Sequence, residues 1–291
     1  MSIRIVTDSS ADLSVARRAE LCIEAVPLTL RIGEEEFEDG VDIDAAGFWA
    51  RVRSSRATPR TTAPSPGAFN QAFTKAFREG ATGIVCITLS SRVSAAHQSA
   101  RLAAGYLDGH GPIAVVDSLS VSSGLGNLCI AAGRLAAEGA DLKTVIAETE
   151  RLRGRIAFYG ALETLEYLRR GGRIGTARAL LGTALSIRPL LRFEEGTVEL
   201  AGKVNSRRRA LDWIAQRLER DLPVEQVSLF HGDAPDSDVL HRRLASLLPG
   251  QPVDVTLMGP VMGTHMGPGC IGLTYYRALA PGDGTPPPGT R

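Results

Sequence analysis

No charge of one sign dominates this 291-residue chain: 33 Lys and Arg stand against 32 Asp and Glu, a net charge of +1. So close a balance gives no global attraction to nucleic acid or to an anionic membrane, and neither is an expected partner. Long apolar runs are also missing. None approaches the ~20 residues needed to cross a bilayer, so no stable membrane insertion is expected. Met1–Asp8 lacks the apolar core of a signal peptide. The four cysteines, Cys22, Cys86, Cys129 and Cys270, are scattered and form no C-x-x-C pair. This excludes a zinc knuckle and a dithiol redox motif and fits a reduced, cytoplasmic setting. The five histidines show no H-x-x-x-H spacing, so no metal site is expected. A G-x-x-x-x-G-K-[ST] phosphate loop is absent, and Gly124-Leu125-Gly126 fails as a dinucleotide fingerprint because position 129 is Cys. No cofactor is expected. Without a G-x-S-x-G elbow the chain also lacks the usual hydrolase nucleophile.

What is present is a core. The hydrophobic fraction is 44%, as in globular α/β proteins. Ile3–Val6, Ile84–Ile87 and Ile113–Val116 are short apolar runs, the pattern of strands buried on both faces. Helical segments are expected from about Ala11, over Ala95–Leu107 and over Leu125–Glu138. Alternating β and α elements of this kind predict a mainly parallel sheet covered by helices, here residues 1–153. The second half reads differently. It offers a strand at Ile156–Leu162, a helix over Glu163–Arg170 and a hairpin over Leu190–Leu200 turning at Glu194-Glu195-Gly196. A basic helix over Asn205–Leu218 follows, then strands at Val227–Phe230 and Val253–Leu257. This predicts a second, smaller α/β domain with a mixed sheet at residues 154–280. The Pro- and Gly-rich residues 281–291 read as a disordered tail.

Three features could carry chemistry. Each of the first three strands runs into a hydroxyl cluster: Thr7-Asp8-Ser9-Ser10, Ser90-Ser91 with Ser94, and Asp117-Ser118 with Ser120 and Ser122. Ligands of open α/β sheets bind outside the carboxyl ends of the strands, although such residues also serve as plain helix caps. The prolines of Thr58–Gly67 hold the chain extended and could present Thr61 and Thr62 to a ligand. Met258–Gly269 reads as a Gly- and Pro-rich loop between two apolar strands with a single histidine, His265, in its middle. The arginines cluster at Arg169, Arg170 and Arg173, and again at Arg207–Arg209.

Taken in order, these residues resemble the DegV family. The matching segments are Val6–Leu13, Val26-Pro27-Leu28, Thr61-Thr62-x-Pro64 with Gly67-x-Phe69, and Leu89-Ser90-Ser91-x-x-Ser94. Val116-Asp117-Ser118, Gly124-Leu125-Gly126, Leu168 with Gly171–Ile174, Ile187-x-Pro189 and His265-x-Gly267-Pro268-Gly269-x-x-Gly272 complete the set. The resemblance spans about Ile3 to Tyr276. Its best understood members are the fatty-acid-binding subunits of bacterial fatty acid kinase, a link to phospholipid metabolism. The resemblance implies two α/β domains, a long-chain fatty acid in an apolar tunnel, and a carboxylate held by Thr61, Ser94 and His265 with Thr62 adjacent. It also implies a partner, the ATP-binding subunit of the kinase, which phosphorylates the bound carboxylate to an acyl phosphate. The chain itself would then be a monomeric lipid-binding protein without catalytic residues. Arg173 matches a position linked to kinase contact. Where relatives carry Arg-Thr this chain has Asn205-Ser206, and Arg207 is the residue that could replace the charge. Ala63 and Ala95-Ala96-His97 also depart from the family pattern. Two other functions remain open: a stand-alone lipid carrier or sensor, and an acyl-ester hydrolase using Ser94 and His265.

Overall fold

The structure, a computed structural model, describes residues 2–54, 58–107, 109–180 and 187–278. In chain order the strands are β1 (Ile3–Asp8), β2 (Ile23–Val26), β3 (Thr29–Ile32), β4 (Glu35–Glu38), β5 (Arg60–Thr62), β6 (Gly83–Thr88), β7 (Ile113–Asp117), β8 (Ile156–Ala161), β9 (Arg188–Glu194), β10 (Thr197–Val204), β11 (Val224–His231), β12 (Val253–Leu257) and β13 (Ile271–Arg277). The helices are α1 (Val15–Glu20), α2 (Ala45–Ser54), α3 (Pro66–Arg78), α4 (Ala96–Tyr106), α5 (Ser122–Ala137), α6 (Leu142–Arg153), α7 (Glu166–Arg170), α8 (Arg207–Asp221), α9 (Ser237–Leu247) and α10 (Pro260–Met266). None is long and apolar enough to cross a membrane.

The chain is an α/β protein with a parallel sheet in its first half and a mixed sheet in its second. The first sheet has the order β2-β1-β6-β7, and all its pairings are parallel. Every residue of β6 is buried, which is why its sequence reads as an unbroken apolar run. Helices α3, α4, α5 and α6 supply the apolar cover, with Phe69, Phe73, Leu125 and Leu128 among the buried side chains. The second sheet, β10-β9-β8-β13-β11-β12, contains only strands from Ile156 onward and is antiparallel except for β11 with β12. The changeover falls between the end of α6 at Arg153 and the start of β8 at Ile156.

Alternation along the second sheet divides two cores, because successive side chains of a strand point to opposite faces. Ala157, Tyr159, Leu229 and Tyr275 face α8 and α9. Phe158, Leu191, Val198 and Phe230 face the other way. That second face is covered by a segment from the first half of the chain. A three-stranded antiparallel sheet, β4-β3-β5, and helix α2 bring Leu30, Ile32, Phe48 and Trp49 against it. The Trp49 indole N–H donates to the carbonyl of Met258 at 2.8 Å.

Four sequence expectations change. No helix starts at Ala11: Ser9–Ala11 form one tight turn, Asp12 follows at φ 52°, and α1 begins at Val15 with Ser14 as its cap. Helix α5 begins at Ser122, three residues before the expected Leu125. The helix expected from Glu163 begins at Glu166. Most consequentially, Met258–Gly269 is not a loop throughout, because α10 occupies its centre. Pro260 is tolerated at the first helical position. Gly263 costs helix stability of about 1 kcal/mol, but a Cβ there would lie 2.4 Å from Phe48 and 2.8 Å from Trp49, so close packing outweighs propensity. The hairpin turn falls at Glu195 and Gly196 as expected, with φ of 46° and 80°. Residues 281–291 lie outside the described residues.

Gly263→Ala should therefore destabilise the fold by about 1–3 kcal/mol through overpacking. The midpoint of urea unfolding reads this directly. An unchanged midpoint would show that α10 does not depend on its contact with Phe48 and Trp49.

Candidate functional site

A cavity of about 480 Å³ lies where the two halves meet. Most of its wall is apolar. The second sheet supplies Phe158, Leu191, Phe193 and Val198, the first half supplies Leu28, Leu89, Val93 and Val121, and α10 supplies Val261, Met262 and Met266. Its polar lining is Thr61, Thr62, Ser65, Ser94, Ser99, Arg173, Arg192 and His265, of which Thr61 meets His265 and Arg173 bonds the carbonyl of the residue before Ser94. Thr61 comes from β5, Ser94 from the loop before α4, and His265 from the last turn of α10. The Thr61 hydroxyl lies 2.9 Å from His265 Nε2. The Ser94 hydroxyl oxygen accepts from the amide of Ala96 at 3.2 Å, which leaves its O–H free to donate into the cavity. Thr62 borders the cavity but is exposed, as its alternation with Thr61 along β5 requires.

His265 is a neutral imidazole at neutral pH. Burial pushes its pKa down to about 4, and the neighbouring Arg173 guanidinium adds to the shift. Its buried Nδ1 has no hydrogen-bond partner among the described residues. The ring fits because residue 171 is glycine: a Cβ there would stand 2.3 Å from Nδ1. Arg173 is therefore the charged group of this end. It is exposed, and it donates from Nε to the carbonyl of Val93 at 3.0 Å and from Nη1 to that of Gly171 at 2.6 Å. Neither bond neutralises its charge. The sequence suggested a kinase-contact residue separate from the pocket, whereas the structure puts Arg173 on the cavity wall.

Arg207 is placed elsewhere. Its guanidinium grips Asp236 through two bonds of 2.8 and 2.7 Å, and it also donates to Glu163 at 3.1 Å and to the carbonyl of Gly269 at 2.6 Å. It ties the start of α8 to the loop before β13, and its donors face inward rather than toward a partner. Asn205 accepts from Arg209.

Of the three strand-end hydroxyl clusters only Ser94 borders this cavity. The others hold the fold. Asp8 accepts from the amides of Ser10 and Leu89. Ser9 accepts from the amide of Leu28, and Ser90 donates to the carbonyl of Gly196. Asp117 accepts from the amides of Ser91 and Leu119.

Asp12 is a residue that sequence reasoning passed over. It accepts from the Ser122 hydroxyl at 2.5 Å and from the Gly259 amide at 2.9 Å. The residue capping α10, Gly259, has no side chain of its own, so a carboxylate 247 positions earlier performs the task. A negative group is favourable at a helix N-terminus. Burial pushes the Asp12 carboxyl up to about 7, against hydrogen bonds from Ser122 and Gly259 that pull it down. Asp8 and Asp39, also buried, rise to about 6 and 7. The only signal in the sequence was an acid in a turn after β1, which by itself reads as a cap.

Comparison with known proteins follows the same lines. The family model for uncharacterised proteins of the DegV family matches residues 2–278. The chain belongs to the DegV family. A DegV domain-containing protein of Streptomyces coelicolor is 35% identical over 276 residues, covering 93% of this chain and 97% of that one. Among solved structures, a fatty-acid-binding DegV family protein from Thermus thermophilus is 33% identical, with a TM-score of 0.86 over 96% of this chain and 100% of that one. DegV, a fatty acid binding protein from Bacillus subtilis, is 25% identical, with a TM-score of 0.85 over the same shares. The fold of this DegV chain is thus a shared one.

The buried imidazole gives a pH dependence. His265 has a folded pKa of about 4 against an ordinary 6.5. The stability it contributes when neutral is complete above pH 6.5 and is lost as pH falls toward 4, because the unfolded chain takes up the proton first. Relative to its own His265→Asn variant, ligand-free wild type should lose about 2 kcal/mol on going from pH 7.5 to pH 5. Paired urea titrations at the two pH values measure the difference. Asp8, Asp12 and Asp39 cancel, since they are common to both proteins. Parallel loss in both proteins would show an imidazole of ordinary pKa.

Proposed function

We propose that this chain binds one long-chain fatty acid, with the acyl tail in the cavity and the carboxylate at Thr61, Ser94 and His265 beside Arg173. The observation that carries this reading is the make-up of the site: a mainly apolar cavity in whose wall Thr61 meets His265, with Arg173 and Ser94 beside them, and no acidic side chain among its described lining. Each buried methylene stabilises by about 0.8 kcal/mol. The tail therefore supplies affinity, and the polar end supplies orientation. A buried carboxylate is costly unless several donors meet it. Ser94 offers a hydroxyl, an Nε2–H on the imidazole donates to Thr61 and leaves the Thr61 hydroxyl to donate in turn, and Arg173 offers the balancing charge. The solved DegV relatives described as fatty-acid-binding support the same reading.

The finer reading is that the chain presents this carboxylate to the ATP-binding subunit of a fatty acid kinase. Arg173 supports it, because an exposed guanidinium marks a polar end that reaches the surface. A serine hydrolase fits the geometry less well. His265 Nε2 is engaged by Thr61 rather than Ser94, and no carboxylate orients Nδ1; a serine nucleophile needs both relations.

Organic extraction and mass spectrometry of protein purified without added lipid should release a fatty acid. Palmitate or oleate added to delipidated protein should raise its melting temperature, by the equivalent of about 2.7 kcal/mol at a hundredfold excess over Kd. Ser94→Ala should weaken binding by about 1–3 kcal/mol. Empty protein with no thermal response to either lipid would overturn the reading. With an added bacterial fatty acid kinase and ATP, loaded protein should yield acyl phosphate; lipid binding without that turnover would favour a carrier or sensor.

A further inference from the structure

The molecule has a second cleft that the fatty-acid reading does not use. It encloses about 620 Å³ at the start of α10, the end remote from His265. Its described lining carries five aspartates: Asp8 and Asp12 from β1 and the turn after it, Asp39 and Asp44 from the segment before α2, and Asp254 from β12. Against them stand two arginines of α1, Arg17 and Arg18. Arg17 is paired with Glu20 at 2.9 Å, and Arg18 acts on Asp39 only through space.

Two of the carboxylates converge. A Cβ at Gly259 would stand 2.8 Å from Asp12 Oδ1 and 3.8 Å from Asp39 Oδ1, so both acids face the gap that the missing side chain leaves. Asp12 is served by Ser122 and Gly259. Asp39 is not so served: it is 6% exposed, and its Oδ2 has no hydrogen-bond partner among the described residues. Burial, together with the charges of Asp12 and Asp8, pushes its carboxyl up to about 7 against the Ser9 hydroxyl and Arg18. Asp12 rises to about 7 as well, chiefly through burial. The cleft is short of positive charge and of donors.

A cation that brings its own N–H groups would supply both. Two carboxylates are too few to enclose a metal ion, and among the described residues no three acidic, His or Cys side chains are grouped to hold one. An ammonium has three donors, enough for both acids. Beside them the wall turns apolar: Val15, Val41 and Val255 line the cleft, and each is half exposed or more. An aliphatic stem would cover them. We propose that this cleft binds a primary ammonium on an aliphatic stem, with the ammonium between Asp12 and Asp39 and the stem along the three valines. A free amine and the lysine of another protein share this chemistry. The site is independent of the fatty-acid reading, since it shares no described lining residue with the acyl cavity.

Titration calorimetry on the full-length protein at pH 8.5 and low salt tests it, with n-butylamine, Nα-acetyl-lysine amide, tetramethylammonium and magnesium as probes. Both primary amines should bind, and tetramethylammonium, which has no N–H, should bind at least about tenfold more weakly. Asp39→Asn should cut amine affinity about tenfold. Arg18→Gln should raise it about twofold by removing a competing charge. Affinity should fall at least about tenfold from pH 8.5 to pH 6, because protons then occupy Asp12 and Asp39 while the amine stays charged. Asp8, at about 6, adds to the fall. The urea midpoint of Asp39→Asn at pH 8.5 should equal or exceed that of wild type, since a buried charge is gone; this separates a lost ligand from a lost fold. Tighter binding of the lysine amide than of butylamine would assign the stem to a partner protein, and the reverse to a free amine; either supports the ammonium site. No amine binding to wild type, binding unchanged in Asp39→Asn or at pH 6, or displacement of the amine by magnesium would overturn it. A lowered midpoint in Asp39→Asn would make Asp39 a structural acid and remove it from the site.

Discussion

The short helix α10 is the element on which the cavity depends, and almost nothing in its own sequence holds it. It has seven residues, a glycine in its middle and no side chain capping its start. An isolated helix of that length would not form in water. Its stability is borrowed from the first half of the chain: Asp12 meets its N-terminus, Phe48 and Trp49 pack against Gly263, and the Trp49 indole binds the carbonyl just before it. In return α10 delivers Val261, Met262 and Met266 to the cavity wall and His265 to its polar end. Fold and site are joined at this one helix.

The electrostatics follow from that placement. Packed against Gly171 and beside Arg173, the imidazole of His265 cannot easily hold a proton, so it meets a ligand as a neutral group. The fixed positive charge belongs to Arg173, at the surface, where hydration lowers the cost of keeping it. The arrangement separates two tasks. Neutral donors inside fix the orientation of an anion, and a cation outside balances its charge. An arginine buried in the place of His265 would instead require a permanent partner.

Much of this was legible in the sequence, for local reasons. The apolar runs of β1, β6 and β7 and the Glu195-Gly196 turn announce themselves because neighbouring residues determine them. Thr61, Ser94 and His265 could be named because they sit in segments resembling a known family. What the sequence hid were long-range causes. Nothing local shows that residues 28–54 leave the first sheet and pack on the second, or that Asp12 caps a helix 247 positions away. The Gly- and Pro-rich composition of Met258–Gly269 hid α10, because the Phe48 and Trp49 rings that require a glycine at position 263 lie more than two hundred residues earlier. The strand-end serines looked like ligand donors, and most of them tie loops together instead: Ser9 accepts from the Leu28 amide, Ser90 donates to the Gly196 carbonyl and Ser122 donates to Asp12. Arg207 shows the same limit: a basic residue near a family contact position turned out to be paired with Asp236 and Glu163.

Strand order in the second sheet has a consequence for how the molecule is made. Its last strand in sequence, β13, is not at an edge but lies between β8 and β11, antiparallel to both. Until it is synthesised, the two flanking parts of that sheet have no shared partner and α10 has no strand to anchor its far end. The parallel sheet, complete by β7, can fold while synthesis continues. Phe158, Leu191 and Phe230 then have the segment carrying Leu30, Phe48 and Trp49 to pack on but no complete sheet to hold them against it. The protein is therefore expected to pass from the ribosome with one half structured and the other sticky, closing both its second core and its cavity in a single late event of high sequence separation.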